Sequence, residues 1–161
     1  MKIATILTLL LTLFSFDSPV VESANDGSVS FINPLKDKAV VLSNFGMRTH
    51  PILQAQKMHK GIDFKVSEGD KVHASEKGIV LFAGEKDKFG NFVMVQHPGG
   101  FVTRYAHLSS IKNELSDGSK VDKGQVLGSA GKSGQTTGPV LHFEILLDGE
   151  PQDPLKYLSY D

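Results

Sequence analysis

The feature that most limits how this chain can fold is the frequency with which it is made to turn. From Ala39 onward, short runs rich in Val, Ile, Phe and Tyr are broken every few residues by Gly, Asp, Asn or Pro. That rhythm suits antiparallel strands joined by tight turns, and helical periodicity is hard to find anywhere in it. Strands are expected at residues 39–43, 62–66, 78–83, 91–96, 101–105 and 141–147, the fourth and fifth joined as a hairpin through His97-Pro98-Gly99-Gly100. Glu68-Gly69-Asp70-Lys71-Val72 and Asp117-Gly118-Ser119-Lys120-Val121 each present a turn followed by a Lys-Val step, and Gly124-Gln125-Val126-Leu127-Gly128 repeats the turn-strand-turn order. Such patterns are the ordinary grammar of small barrels and sandwiches and carry no chemistry. Residues 109–119 read as a loop or a single helical turn. The expected fold class is mainly β, a small single domain of antiparallel sheet.

The chain's 161 residues leave room for one domain. Met1 and Lys2 give a positive start, residues 3–16 are mostly apolar, and Val21-Glu22-Ser23-Ala24 offers a small-x-small cleavage pattern. Residues 1–23 are therefore read as a Sec-type signal peptide, which implies secretion or a periplasmic location. The apolar stretch falls short of the ~20 residues a membrane-crossing helix needs, so no stable span is expected once the signal is removed. Residues 24–37 are read as a leader, 38–158 as the domain and 159–161 as a tail.

Composition removes several classes of function. With no cysteine, the chain has no disulfide, no thiolate ligand and no cysteine nucleophile, so any metal must be held by His, Asp or Glu. Seventeen basic against eighteen acidic residues, without a long run of either sign, argue against nucleic acid as a partner.

Six histidines invite a search for metal-ligand spacing. His59 is followed at i+4 by Asp63, with Gly61 between them and an apolar strand starting at Ile62; an imidazole and a carboxylate are suitable donors for Zn²⁺ where thiolates are missing. His142 lies inside the clearest strand. Alternation there turns Leu141, Phe143 and Ile145 toward the core and puts Val140, His142 and Glu144 on the other face. His107 closes Arg104-Tyr105-Ala106-His107-Leu108 at the end of an expected strand, from which a side chain can project toward a neighbouring cleft. Three ligands and one unligated imidazole make a sensible catalytic inventory, since the ligands leave a position open for water and the imidazole can handle protons. His73 and His97 lie beside turns and are expected to be exposed. Asn44 is read as a turn residue that could approach the metal.

These residues resemble the lysostaphin-type, or LytM-like, zinc endopeptidases that cut peptide bridges in bacterial cell walls. The resemblance spans nearly all of residues 43–158. It starts with Phe45-Gly46-Met47-Arg48-Thr49-His50-Pro51 and the H-x-x-x-D element His59-Lys60-Gly61-Ile62-Asp63, and it continues through Tyr105-Ala106-His107-Leu108. It ends with Ser133-Gly134-Gln135-Thr136-Thr137-Gly138-Pro139-Val140-Leu141-His142-Phe143-Glu144 and Asp153-Pro154-Leu155. The resemblance implies one zinc ion per chain on His59, Asp63 and His142, a groove across the sheet, and peptidoglycan peptides as substrate. In that family's mechanism, zinc polarises the scissile carbonyl and activates a water while histidines outside the coordination sphere assist; His107 sits where one of them belongs. Arg48, His50 and Tyr105 are candidates to line the groove, Tyr105 being the more readily placed in the core.

One departure matters as much as the match. Where the family usually reads H-x-H, this chain reads Val140-Leu141-His142, so the ligand position is kept while the second catalytic histidine is replaced by a side chain that neither donates nor accepts a hydrogen bond. Two readings follow: a zinc endopeptidase with impaired hydrolysis, or a catalytically inactive module that binds cell wall or activates another wall hydrolase. Glu144 is a candidate substitute proton carrier, a role set against a supporting one behind the ligands. A biotinyl- or lipoyl-carrier barrel is disfavoured, because no lysine occupies a suitably flanked hairpin tip.

Overall fold

Turn chemistry decides where this chain reverses. Gly69 and Gly118 have φ of 96° and 86°, a region that costs glycine nothing and other residues a steric penalty. Each is followed two residues later by the Lys of its Lys-Val step, now in extended conformation.

The computed structural model describes residues 29–49 and 55–159. The strands are β1 (Phe31–Ile32), β2 (Val40–Ser43), β3 (Gly46–Thr49), β4 (Gln56–His59), β5 (Ile62–Lys65), β6 (Lys71–His73) and β7 (Gly78–Lys86). They continue with β8 (Gly90–Gln96), β9 (Phe101–Ile111), β10 (Lys120–Val121), β11 (Val126–Ala130), β12 (Val140–Leu147), β13 (Glu150–Gln152) and β14 (Leu158–Ser159). Helical structure among the described residues is confined to 3-10 segments of three residues.

Ten strands form one sheet, ordered β10-β7-β8-β9-β12-β5-β2 along its main path, with β11 and β6 branching from β9 and β13 from β12. Its pairings are antiparallel. β3 and β4 form a separate hairpin, and β1 and β14 a parallel pair. The mainly β, antiparallel class read from the sequence is the class observed.

The core lies on one face of this sheet, where Ile62, Phe64, Val93, Val95, Tyr105, Leu141, Phe143 and Ile145 are fully buried. The alternation expected along β12 holds, but its second face is not open: His142 and Glu144 are 8% and 2% exposed.

Several boundaries differ from those read in the sequence. β9 runs to Ile111, so His107 lies within a strand and not at its end, and residues 109–111 are strand. The segment read as a leader over 24–37 contributes Phe31 and Leu35 to the core, and β1 pairs with β14 in register Phe31↔Leu158. The signal peptide at 1–23, the start of the leader and the last two residues of the tail lie outside the described residues.

His73 and His97 are buried, contrary to expectation. His73 Nδ1 donates to the Pro34 carbonyl (3.0 Å). His97 Nδ1 donates to the Lys77 carbonyl (2.8 Å), and Nε2 lies 2.7 Å from Thr103 Oγ1. Both rings are satisfied inside the fold, which is why adjacent turns did not expose them. No helix among the described residues is long and apolar enough to cross a membrane.

Candidate metal centre

β12 and β5 pair in register His142↔Asp63 and Val140↔Lys65. Directly paired residues share a sheet face, so this register alone sets an imidazole beside a carboxylate. On the other side of β12, Ala106 of β9 faces His142 and Arg104 faces Glu144. Gly61 is required just before β5: a β-carbon there would stand 2.2 Å from the Phe143 carbonyl oxygen and 2.9 Å from Glu144 Cγ. The third residue, His59, arrives on the β3-β4 hairpin.

The three side chains converge. His142 Nδ1 is 2.7 Å from Asp63 Oδ1, His59 Nε2 is 3.2 Å from the same oxygen, and the two nitrogens are 3.1 Å apart. A tetrahedral zinc ion with bonds of about 2.0–2.1 Å separates its ligand atoms by roughly 3.3 Å, so the triangle has the size such an ion needs. The remaining ring nitrogens are committed elsewhere: His59 Nδ1 to the Asn44 carbonyl (2.8 Å) and His142 Nε2 to Glu144 Oε1 (3.0 Å). If both rings are neutral, each must carry its proton on the outward nitrogen. Two lone pairs and a carboxylate oxygen then face one another at van der Waals distance or less, an arrangement that only a cation or a proton can hold together. The donor set therefore fits a divalent ion that accepts nitrogen and oxygen ligands.

Electrostatics says the same. Burial raises the Asp63 carboxyl, yet hydrogen bonds from His142 and His59 outweigh it and hold the group well below the usual carboxylate range. Burial alone would lower His142; the hydrogen bonds to Asp63 and Glu144 raise it to about 9. In the absence of an ion, a proton on His142 takes over the role of the cation.

Glu144 is nearly fully buried and is held from behind by Arg104 Nη1 on Oε2 (2.9 Å). Burial raises its carboxyl, but His142 and Arg104 together lower it below the ordinary value. It is an ionised carboxylate that orients His142, the carboxylate-histidine-metal arrangement that raises ligand basicity. It is not placed to shuttle protons. Asn44 likewise acts through its backbone, by fixing the His59 ring.

His107 reaches the same region, with its ring centroid 6.3 Å from that of His142. Its Nδ1 lies 2.8 Å from the Ser133 carbonyl, which can only accept, so Nδ1 carries the proton and Nε2 the lone pair. Burial, followed by the nearby His142, lowers its pKa below the ordinary imidazole value despite the bond to Ser133.

Val140, at the start of β12, lines an open cleft of about 290 Å³ together with Leu42, Asp63, Thr136, Thr137, Gly138 and Pro139. Arg48 lies beside the triad: Nη1 donates to Ser43 Oγ (2.6 Å) and Nη2 is 3.7 Å from Asp63 Oδ2, with the side chain 40% exposed. Tyr105, considered for the groove, is instead a core residue with no exposed surface. Its hydroxyl accepts from the Ser75 amide (2.9 Å) inside the fold. His50 lies outside the described residues. Sequence reasoning missed Arg104 and Phe89, whose ring centroid is 6.3 Å from that of His142; only the strand register and the turn before β8 reveal them.

Comparison with known proteins identifies the family. Residues 57–154, more than half of the chain, match the family described as "Peptidase family M23". The chain is 41% identical over 115 residues to the DD-carboxypeptidase/endopeptidase Mpg of Neisseria meningitidis serogroup B, covering 71% of this chain and 26% of that protein. It is 37% identical over 124 residues to the peptidoglycan DD-endopeptidase ShyA of Vibrio cholerae, covering 76% and 28%. Among solved structures, a zinc-containing peptidase from Vibrio cholerae superposes with a TM-score of 0.71 at 32% identity, over 77% of this chain and 39% of that one. The chain thus spans about a quarter of the length of the curated relatives it matches. The match over residues 57–154, which include all three corners of the histidine-aspartate-histidine triangle, makes this chain a member of peptidase family M23.

Proposed function

We propose that this chain is a zinc-dependent endopeptidase acting on the peptide part of bacterial peptidoglycan outside the cytoplasm, with hydrolysis weakened at Val140. The single observation that carries the reading is the triangle of His59 Nε2, Asp63 Oδ1 and His142 Nδ1, whose edges of 2.7–3.2 Å ask for a cation. The peptidoglycan substrate is supported by the relative named as a peptidoglycan DD-endopeptidase, and zinc by the neighbour titled a zinc-containing peptidase.

A zinc ion held by His59, Asp63 and His142 would supply Lewis acidity toward the scissile carbonyl and acidify a water molecule. The residues of the chain supply the rest. Glu144 and Asn44 hold the two ligand rings in the tautomers that present a lone pair to the ion. Neutral His107 can take a proton from the attacking water at Nε2. As the C–N bond breaks, that proton passes to the departing amine, so the atoms of water are fully divided between the two products. Val140 occupies the place from which a second imidazole would donate to the developing oxyanion. Losing one such donor typically costs about 10²- to 10³-fold in rate while leaving metal binding intact.

Val140 also motivates the second reading, a module that binds cell wall or activates another hydrolase without cutting. Metal analysis of the mature protein, combined with digestion of defined wall peptides by the wild type and by Val140→His, distinguishes the two. One zinc per chain and a large gain in cleavage with histidine identify a debilitated enzyme, whereas continued inertness identifies the binding module. Absence of stoichiometric zinc, with wall fragments neither cut nor bound, would remove the proposal altogether.

A further inference from the structure

Three segments meet around His107 without contributing a metal ligand: the start of β8, the middle of β9 and the loop that follows β11. β9 changes partners at this point. β12 pairs with it up to His142↔Ala106, and β11 takes over from Ala130↔Leu108, so His107 sits in the fork between them. The register with β8 slips by one residue in the same place, from Val93↔Tyr105 to Asn91↔Leu108, the signature of a bulge that re-aims a side chain. His107 pays for the fork with a left-handed backbone, φ 64°, which a residue bearing a β-carbon adopts only when its surroundings enforce it.

Those surroundings are specific. Ser133 Oγ donates to the Leu108 carbonyl (2.6 Å) and accepts from the Asn91 amide (2.9 Å). Asn91 Nδ2 reaches the Leu108 carbonyl (3.1 Å) and the Ser109 carbonyl (3.3 Å). The carbonyls of Leu108 and Ser109, which follow His107, are thus held by two side chains, and the Ser133 hydroxyl is bonded in turn to the Asn91 backbone amide. The backbones also abut: a β-carbon on Gly90 would stand 2.4 Å from Ser133 Oγ, and one on Gly134 2.4 Å from the Gly90 amide. This packing fixes the Ser133 carbonyl that accepts from His107 Nδ1.

We propose that Ser133 and Asn91 are positioning residues for His107, clamping the β9 bulge so that the ring faces the metal centre as a single tautomer with its proton on Nδ1. The catalytic consequence rests on the proton-transfer role given to His107 above; the placement of the ring does not.

The test is a long-range ¹H–¹⁵N correlation spectrum of the zinc-loaded protein with labelled histidine. In the wild type His107 shows one tautomer, protonated at Nδ1. In the Asn91→Ala/Ser133→Ala double variant that signature is lost to a mixture, while His59, His142 and the zinc content stay as they were. Ser133→Thr, which keeps the hydroxyl, retains the wild-type signature. Where hydrolysis is measurable, kcat of the double variant falls on the order of 10- to 10²-fold with KM within about twofold. A wild-type His107 protonated at Nε2, or a zinc-loaded double variant with an unchanged His107 signature, overturns the proposal. Should the double variant not fold, Ser133→Ala alone is read in the same way. Absence of peptide hydrolysis counts against the enzyme reading only, because the tautomer decides the clamp.

Discussion

Position 140 is where the proposed function predicts that a single side chain separates metal binding from chemistry. Val140 borders Asp63 in the cleft but touches none of the hydrogen bonds that hold the triangle. Val140→His is therefore expected to leave zinc content unchanged and to raise cleavage of a defined wall peptide by about 10²- to 10³-fold. Glu144 is the opposite case. It is buried behind the triangle, where it supports the outward nitrogen of His142 and neutralises Arg104. Glu144→Ala leaves both without their partner, and a chelator competition assay should show zinc affinity lower by about 10- to 100-fold. Unchanged affinity would mean that Asp63 alone orients the ring.

Among the elements, the β3-β4 hairpin is the one whose order should depend most on the ion. Among the described residues it pairs only with itself, carries exposed side chains such as Met47 (65%), and ends in the buried candidate ligand His59. Removing zinc is expected to increase amide exchange across residues 46–49 and 56–59 more than across β8, whose strand is paired on both sides; mass-spectrometric exchange with and without chelator measures this. The same elements show what the sequence could and could not reveal. β12 was readable because alternation of Leu141, Phe143 and Ile145 with His142 and Glu144 is a local pattern. The pairing His142↔Asp63 is not local, and its reading came through resemblance, not through spacing. β9 was cut short at Tyr105 because Ala106, His107, Ser109 and Ser110 lack strand propensity; β11, β12 and the Ser133-Asn91 clamp hold the segment in the sheet instead, around a left-handed His107. His73 and His97 were misplaced for the same reason, since the carbonyls that accept from them lie 39 and 20 residues away.

For the molecule as a whole, pH acts through histidines with opposite preferences. Burial holds His73 and His97 below the ordinary imidazole value. The unfolded chain then binds more protons than the fold below pH about 6.5, so stability is lost as pH falls through that range. His142 in the metal-free protein is raised to about 9, so its contribution is fully present below about 6.5 and is lost as pH rises toward 9. Metal-free protein should be most stable near pH ~6.5, and zinc, by replacing the proton on His142, should extend that stability upward. Urea denaturation between pH 5 and 9, with chelator or with zinc, checks both arms. The same displacement predicts that zinc binding at pH 7.5 releases close to one proton from His142, a quantity read from calorimetry in buffers of different ionisation enthalpy. The parallel pairing of Phe31–Ile32 with Leu158–Ser159 has a further consequence. Because the two segments run in the same direction, the polypeptide enters this short pair at one end and leaves it at the other. A longer protein could thread the unit in line, like a bead on a string, with the join borne by this two-stranded pair and not by the ten-stranded sheet.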